Sequence, residues 1–370
     1  MNDYLDGGVV PAASVDLEAS VPEENEAVRY PFRFEGTGKE YFRIWIVNVF
    51  LTIITLGIYA AWAKVRTRQY FYNNTHLADH SFEFLGNPLT ILKGNLIVGA
   101  GAVLYYVLKN VLPVYTLYIV AAFYIFLPYL IYKSLRFNAR NSSYRNIRFH
   151  FVGTLKESYF VYLLCPLFIP LSLGFFYPAW IYLKKNYFFD NLTYGAAKND
   201  FNGRVGPFYR AYSIVLLFPV FVPIAGFAIV MAMPFIGPLL RRAGTTDHLI
   251  WLVPLALSLG WFTGYIFLKQ YFYVRLNNYC FAQSAIGGAA LESTMQVGRL
   301  TWIYFTNILA IIFSLGLLIP WAKVRRTRYI LENLAVVTSF GLEDFAARAE
   351  EDVGAVGDAA TDIFDIAVGL

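Results

Sequence analysis

Four short stretches alternate apolar and polar residues and run into a glycine. They are Phe32-Arg33-Phe34-Glu35-Gly36, the segments from Phe82 to Gly86 and from Phe149 to Gly153, and a worn copy at Asp200-Phe201-Asn202-Gly203. A two-residue period predicts strands, expected here to pair into a small sheet at a membrane face. Four long apolar segments follow a different rule. They run from Leu96 to Leu112, Val114 to Tyr132, Tyr212 to Pro238 and Leu249 to Leu268, each long enough to cross a hydrocarbon core of about 30 Å as a helix. Little more than Pro113 separates the first two, which predicts a tight helical hairpin. The other two are joined through Arg241-Arg242 to His248.

A third kind of element occurs three times. Thr55-Leu56-Gly57, Ser172-Leu173-Gly174 and Ser314-Leu315-Gly316 each follow an apolar run and lead to a Tyr (Tyr70, Tyr187, Tyr329) and then an Asn (Asn74, Asn191, Asn333) at matched offsets. Trp62 to Arg66 and Trp321 to Arg325 are identical, and a weaker relative stands at Ser258-Leu259-Gly260. Shifting the chain by 117 residues lays 32–86 on 149–203 without a gap, with 13 of 55 pairs identical, Gly36/Gly153, Lys39/Lys156 and Glu40/Glu157 among them. Self-similarity of this kind marks internal repeats. The expected organisation is an acidic, disordered lead (1–28), a membrane domain (29–340) and an acidic tail (341–370). Within the membrane domain, two long repeats (about 32–148 and 149–288) precede a partial third (about 289–334).

Charge bears on the number of crossings. If the three glycine-centred elements span, Lys and Arg divide 13 to 17 between the two sides. If they dip in and return, the division is 27 to 3, with Lys109, Arg241 and Arg242 alone outside. Cytoplasmic loops carry the basic excess, so the second reading is favoured, with both termini and the strands cytoplasmic. Gly in the left-handed C′ position would end each first helix, and the broken backbone would have to be buried against protein.

Composition fits a membrane chain: 58% hydrophobic and 15% charged residues, against about 25% charged in soluble domains. The acidic N-terminal stretch lacks the basic and apolar regions of a signal peptide. Of 25 acids, 15 lie in the two tails, so the C-terminal tail is expected to dock on the basic body. Two cysteines, Cys165 and Cys280, imply no disulfide framework.

The strings Phe32–Gly36, Thr55 through Trp62 to Arg68, Tyr70–Asn74, His80–Gly86 and Ser142-Ser143-Tyr144-Arg145, with the ending from Asp358 to Leu370, resemble the bacterial membrane family DUF898. The resemblance implies a bacterial cytoplasmic (inner) membrane location. It carries no activity and no functional residues.

Candidate chemistry is sparse. No phosphate loop, nucleophile elbow or zinc-protease motif is present, and neither an enzyme, a cofactor nor a nucleic-acid partner is expected. His76 and His80, with Glu83 near, have a spacing that would suit a metal on one helical face, but they read better as a polar lead into the Phe82 strand, and no metal site is assigned. Asn48 and Asn307 occupy matched places before Gly57 and Gly316; polar groups at membrane depth mark pathways or helix contacts. Trp62, Lys64 and Arg66, and Trp321, Lys323 and Arg325, read as interfacial anchors or as a site for an anionic headgroup or solute. The expected fold is an all-α polytopic membrane protein with internal repeats and short cytoplasmic β-strands. Its expected role is a carrier or permease for a small or anionic solute. The alternative is a scaffold or anionic-lipid-binding protein acting through its basic cytoplasmic face.

Overall fold

The computed structural model describes residues 27–214, isolated positions to 238, and residues 248–341. Both acidic tails, most of the apolar segment from Tyr212 to Pro238 and the Arg241-Arg242 link lie outside the described residues, as does any docking of the C-terminal tail.

Ten strands close into one antiparallel barrel. They are β1 (Val28–Phe34), β2 (Thr75–Leu77), β3 (His80–Phe84), β4 (Ser142–Tyr144), β5 (Ile147–Phe151), β6 (Leu192–Tyr194), β7 (Ala197–Phe201), β8 (Ser284–Ile286), β9 (Ala289–Ser293) and β10 (Leu334–Thr338). Each pairs with its neighbours in the chain, and β1 closes the ring against β10 with Val28 opposite Thr338. The expected all-α fold with a few short strands is therefore overturned. The alternating Phe stretches are four strands of a ten-stranded barrel, and four of the other six, three residues long, are too short to show a period.

Strands are joined alternately by two-residue turns and by helical hairpins. The turns are 78–79, 145–146, 195–196 and 287–288. In three of them both central residues have positive φ (Ala78 43°, Asp79 63°; Arg145 48°, Asn146 65°; Gly287 54°, Gly288 86°), the mirror-type turn whose twist suits a two-residue hairpin. Antiparallel order places all the tight turns on one rim and all the helices on the other. The helical crown contains α1 (Gly38–Ile54) with α2 (Ala60–Asn73), and α3 (Pro88–Val111) with α4 (Thr116–Arg140). The third hairpin is α5 (Leu155–Tyr159) and α6 (Cys165–Leu171), joined by a π-turn over Phe160–Leu164, with α7 (Tyr177–Asp190) returning. In the fourth, a helix beginning at 206 is answered by α8 (His248–Ala282); α9 (Val297–Phe313) and α10 (Ile319–Glu332) make the fifth.

Each hairpin is sewn shut at its base. The amide just past the outgoing strand donates to the carbonyl of the residue that ends the returning helix: Glu35 to Asn74 (3.0 Å), Leu85 to Asn141 (2.8 Å), Val152 to Asn191 (2.9 Å), Asn202 to Gln283 (2.9 Å) and Thr294 to Asn333 (2.9 Å). The four Asn side chains then cap their own helices, donating to the carbonyls of Tyr70, Phe137, Tyr187 and Tyr329 at 2.7–2.9 Å. These are carbonyls a helix end leaves unpaired. The recurrent Tyr ties the two helices of a hairpin together: Tyr70 donates to the Thr37 carbonyl (2.9 Å) and Tyr187 to that of Thr154 (3.0 Å). Thr37 with Glu40, and Thr154 with Glu157, form capping boxes, which satisfy orphan donors reciprocally.

The glycine after each alternating stretch serves packing. The last Phe ring of the strand folds over it. A Cβ on Gly36 would meet Phe34 at 2.7 Å, and one on Gly153 would meet Phe151 at 2.8 Å and Tyr187 at 2.9 Å.

The Ser/Thr-Leu-Gly turns differ from expectation in one respect. The left-handed C′ residue is leucine (Leu56 φ 49°, Leu173 51°, Leu315 49°), and glycine follows at φ 90–92°. Gly57 donates to the Thr52 carbonyl (2.8 Å) and Leu56 to that of Ile53 (3.1 Å), with equivalent bonds at the other two turns. This is the Schellman pattern. The first residue's hydroxyl spans the break: Thr55 donates to the Leu51 carbonyl (2.7 Å) and accepts from the Tyr59 amide (2.9 Å). Ser172 and Ser314 likewise accept from Phe176 and Leu318. The break meets its own polar needs, so it need not be buried against protein. By contrast Ser258-Leu259-Gly260 lies inside the continuous α8, where an isolated glycine is tolerated.

Two outcomes follow. Gly57→Val should lower the yield of folded protein more than Gly99→Val, because a side chain at positive φ costs about 1–2 kcal/mol whereas Gly99 lies in α3 with nothing within 4 Å; equal yields by fluorescence-detected size exclusion would contradict this. Gly153→Ala, with an ordinary φ but two rings in the way, should also destabilise, and Phe151→Leu should partly rescue it in a thermal-shift assay.

Candidate functional site

The crown is graded from tip to base. At the tips Leu56, Leu173 and Leu315 are 94%, 88% and 95% exposed, with Ile53, Ile54, Phe175, Ile312 and Phe313 exposed beside them. Six or more large apolar side chains held in the open by satisfied backbone turns form a surface suited to hydrocarbon. Burying each in lipid is worth about 1.5–3 kcal/mol. The two long helices α3 and α4 are apolar and exposed along most of their length.

Basic side chains gather toward the barrel. Every outgoing arm has an exposed cation soon after its strand: Lys39, Lys93, Lys156, Arg204 and Arg299. The returning helices add Arg140 and Arg275 near their bases and Arg66 and Arg325 at mid-helix, with Lys64 and Lys269 higher up. This collar surrounds the helix-side rim. Its outgoing half is legible in the sequence as a Lys or Arg following each of the four alternating stretches: Lys39, Lys93, Lys156 and Arg204.

The predicted site residues divide between structural and open roles. Trp321 and Lys323 lie at the seam where the fifth hairpin meets the first. The Trp321 ring packs on Gly38 and Phe42 (5.2 Å between centroids), and the Lys323 ammonium bonds the Tyr41 hydroxyl (3.2 Å) and stands 4.8 Å from the Phe71 ring centre. Arg325 donates to Thr306 (2.8 Å) and Asn307 (3.3 Å), while Asn307 donates to the Ala322 carbonyl (3.0 Å). Asn307 thus braces its own hairpin. Asn48 is buried in α1, and neither amide atom has a hydrogen-bond partner. Trp62 stacks near Tyr59 (6.1 Å), Arg66 donates to the Tyr59 hydroxyl (3.1 Å), and Lys64 is exposed. The structure does not gather these eight into one cavity.

Neighbouring hairpins are tied in turn around the ring. Arg68 donates to Asn138, Ser158 to the Pro128 carbonyl (2.8 Å), Lys185 to Asn277 (2.9 Å), Asn278 to the Met295 carbonyl (2.8 Å) and Arg328 to that of Gly36 (2.8 Å). These partners come from distant parts of the chain and gave no local signal. His76 and His80 sit on opposite strands of the β2–β3 hairpin, not on one helical face. His76 stands 3.5 Å from Glu35, and His80 Nδ1 lies 3.0 Å from the Ala78 carbonyl.

Comparison with known proteins places the chain. Residues 29–363 match the family described as "Bacterial protein of unknown function (DUF898)". Over 162 residues the chain is 30% identical to the inner membrane protein YjgN of Escherichia coli O157:H7, an alignment covering 42% of this chain and 39% of that protein. It is 28% identical over 144 residues to the inner membrane protein YjgN of Salmonella typhimurium strain LT2, covering 38% and 36%. The matched stretch therefore spans about two fifths of the curated relatives' length. No solved structure matches significantly. A match that begins in β1 and runs past β10, across the whole barrel and crown, makes this chain a member of the DUF898 family.

Proposed function

We propose that this chain is a bacterial inner-membrane protein that engages anionic lipid, with its barrel at the cytoplasmic face and its crown in the bilayer. The observation that carries this is the gradient along the hairpins, from the basic collar to the exposed leucine tips. Anionic headgroups attract juxtamembrane cations, each worth about 1 kcal/mol. The relatives' name, inner membrane protein, supports the location.

Helix length sets depth. At 1.5 Å per residue, α3 with its 24 residues reaches about 36 Å and crosses a core of about 30 Å, whereas α1 and α2, with 17 and 14 residues, reach about 25 Å and 21 Å. The α3–α4 hairpin spans and returns, and the three Leu-Gly hairpins dip in and return. The multi-pass topology and the cytoplasmic termini follow from that arrangement. A carrier needs polar groups converging on a path near the midplane. Here, among the described residues, Asn307 and Lys323 are spent on contacts within the crown, which favours non-catalytic lipid engagement over transport.

Topology is read by cysteine labelling, with little background because Cys165 and Cys280 are buried. Glu83→Cys and Lys198→Cys, exposed on β3 and β7, should resist a membrane-impermeant maleimide in intact spheroplasts and react in inverted vesicles. Reaction of either from outside would place the barrel on the periplasmic side and sink the cytoplasmic orientation. For the lipid role, Lys39→Gln, Lys93→Gln and Lys156→Gln together should weaken retention of phosphatidylglycerol about a hundredfold, from about 1 kcal/mol per cation, in native mass spectrometry. Undiminished retention would refute the collar's role.

A further inference from the structure

The barrel interior is not filled. Toward the tight turns, Leu77, Tyr144, Tyr194, Ile286 and Val336 pack into a buried floor. Between that floor and the helix-side rim lies a cavity of about 170 Å³. Its cause is a lopsided wall. Strands β1, β3 and β5 contribute Phe32, Phe82 and Phe149, whereas β9 and β10 contribute the smaller Ala289, Leu291, Leu334 and Val336. Small barrels are ordinarily filled by their own side chains, or hold one small ligand.

Polarity decides what the space accepts. The floor hydroxyls are turned into the wall: Tyr144 donates to the Leu77 carbonyl (2.7 Å) and Tyr194 to the Tyr144 carbonyl (3.0 Å). Burial pushes the Tyr144 phenol above its ordinary pKa, so it stays neutral. A water molecule needs two to four polar partners, and an apolar cavity of about 150 Å³ stays dry yet takes up benzene. The upper wall is formed by Phe281, in the last turn of α8, and by Leu334, where the chain leaves α10. Both lie on the rim that bears the helices. The space is therefore apolar and lies on the side of the barrel that meets the crown.

We infer that the barrel lumen is a binding site for a hydrocarbon chain, the terminal segment of a lipid or fatty-acid alkyl tail, about six carbons of it by comparison with benzene in a cavity of similar size. The direction of entry rests on the proposed membrane orientation; the lumen's apolar character does not. A tail reaching the lumen from the bilayer side would leave its headgroup near the collar cations.

The test uses the full chain in lipid nanodiscs with two photoprobes, a phosphatidylglycerol and a free fatty acid, each carrying a diazirine at the end of an acyl chain. Adducts mapped by mass spectrometry should fall on lumen peptides bearing Tyr144, Ala289 or Val336, and also on the hairpin tips at Leu56 and Leu173. Ala289→Phe, which fills the space, should cut lumen adducts at least tenfold while tip adducts and circular dichroism are unchanged. Leu291→Phe, on the lumen face of β9, is the milder alternative should that variant misfold. Lumen labelling by the phospholipid assigns a membrane lipid tail, and labelling by the fatty acid alone assigns a free acid. Tip labelling without lumen labelling, or lumen labelling indifferent to both substitutions, overturns the inference. Lumen labelling without tip labelling upholds the inference and overturns the bilayer orientation instead.

Discussion

A buried backbone amide or carbonyl left without a partner costs free energy comparable to a lost hydrogen bond, and each joint of this molecule answers that constraint. Strand edges are the first place it bites, and β1 pairing with β10 removes them. Helix ends are the second, where Asn74, Asn141, Asn191 and Asn333 cap the returning helices. The hairpin tips are the third. Thr55, Ser172 and Ser314 each place one hydroxyl across the break, and the following leucine accepts a left-handed conformation so that glycine can complete the pattern. Strain of about 1–2 kcal/mol at each leucine is the cost of presenting an apolar side chain at the extreme tip.

The same logic explains why the charged side chains split into two groups. Lys323, Arg328, Arg68 and Lys185 reach across to neighbouring hairpins and hold the crown as a ring. Val324 of the last hairpin shares a buried cluster with Phe34 and Tyr41 of the first, so the ring closes through apolar packing as well as polar ties. Lys39, Lys93 and Lys156 have no place in those seams and remain exposed at the collar, and Lys64 is exposed higher on α2. A basic run in the sequence is thus one stretch with two jobs, and helix phase decides which residue does which.

Barrel and crown are coupled through the phenylalanines. In each Phe-x-Phe-x-Gly stretch the first ring faces the lumen, and the second, over the glycine, is buried at the root of the hairpin, as Phe32 and Phe34 show. β9 departs from this pattern, with Leu291 and Ser293 in place of the rings and Met295 in place of the glycine. That departure, together with Ala289 of β9, is why the lumen is open on one side.

The sequence by itself determined the local elements: the Phe-x-Phe strands, the apolar hairpin around Pro113, the three Ser/Thr-Leu-Gly breaks, and the shared register of Tyr and Asn behind them. These are legible because each is written in residues close along the chain, with a two-residue period, an apolar run or a fixed offset. Tertiary structure alone decided that the strands close into a barrel. Strands such as Thr75–Leu77 and Ser142–Tyr144 are too short to carry a period, and their pairing depends on partners brought in by a whole helical hairpin. It also decided that Trp321 and Lys323 join the last hairpin to the first, a contact across nearly the full length of the chain. The lumen was equally hidden. Its emptiness is a difference in side-chain volume between walls that meet only once the barrel has closed.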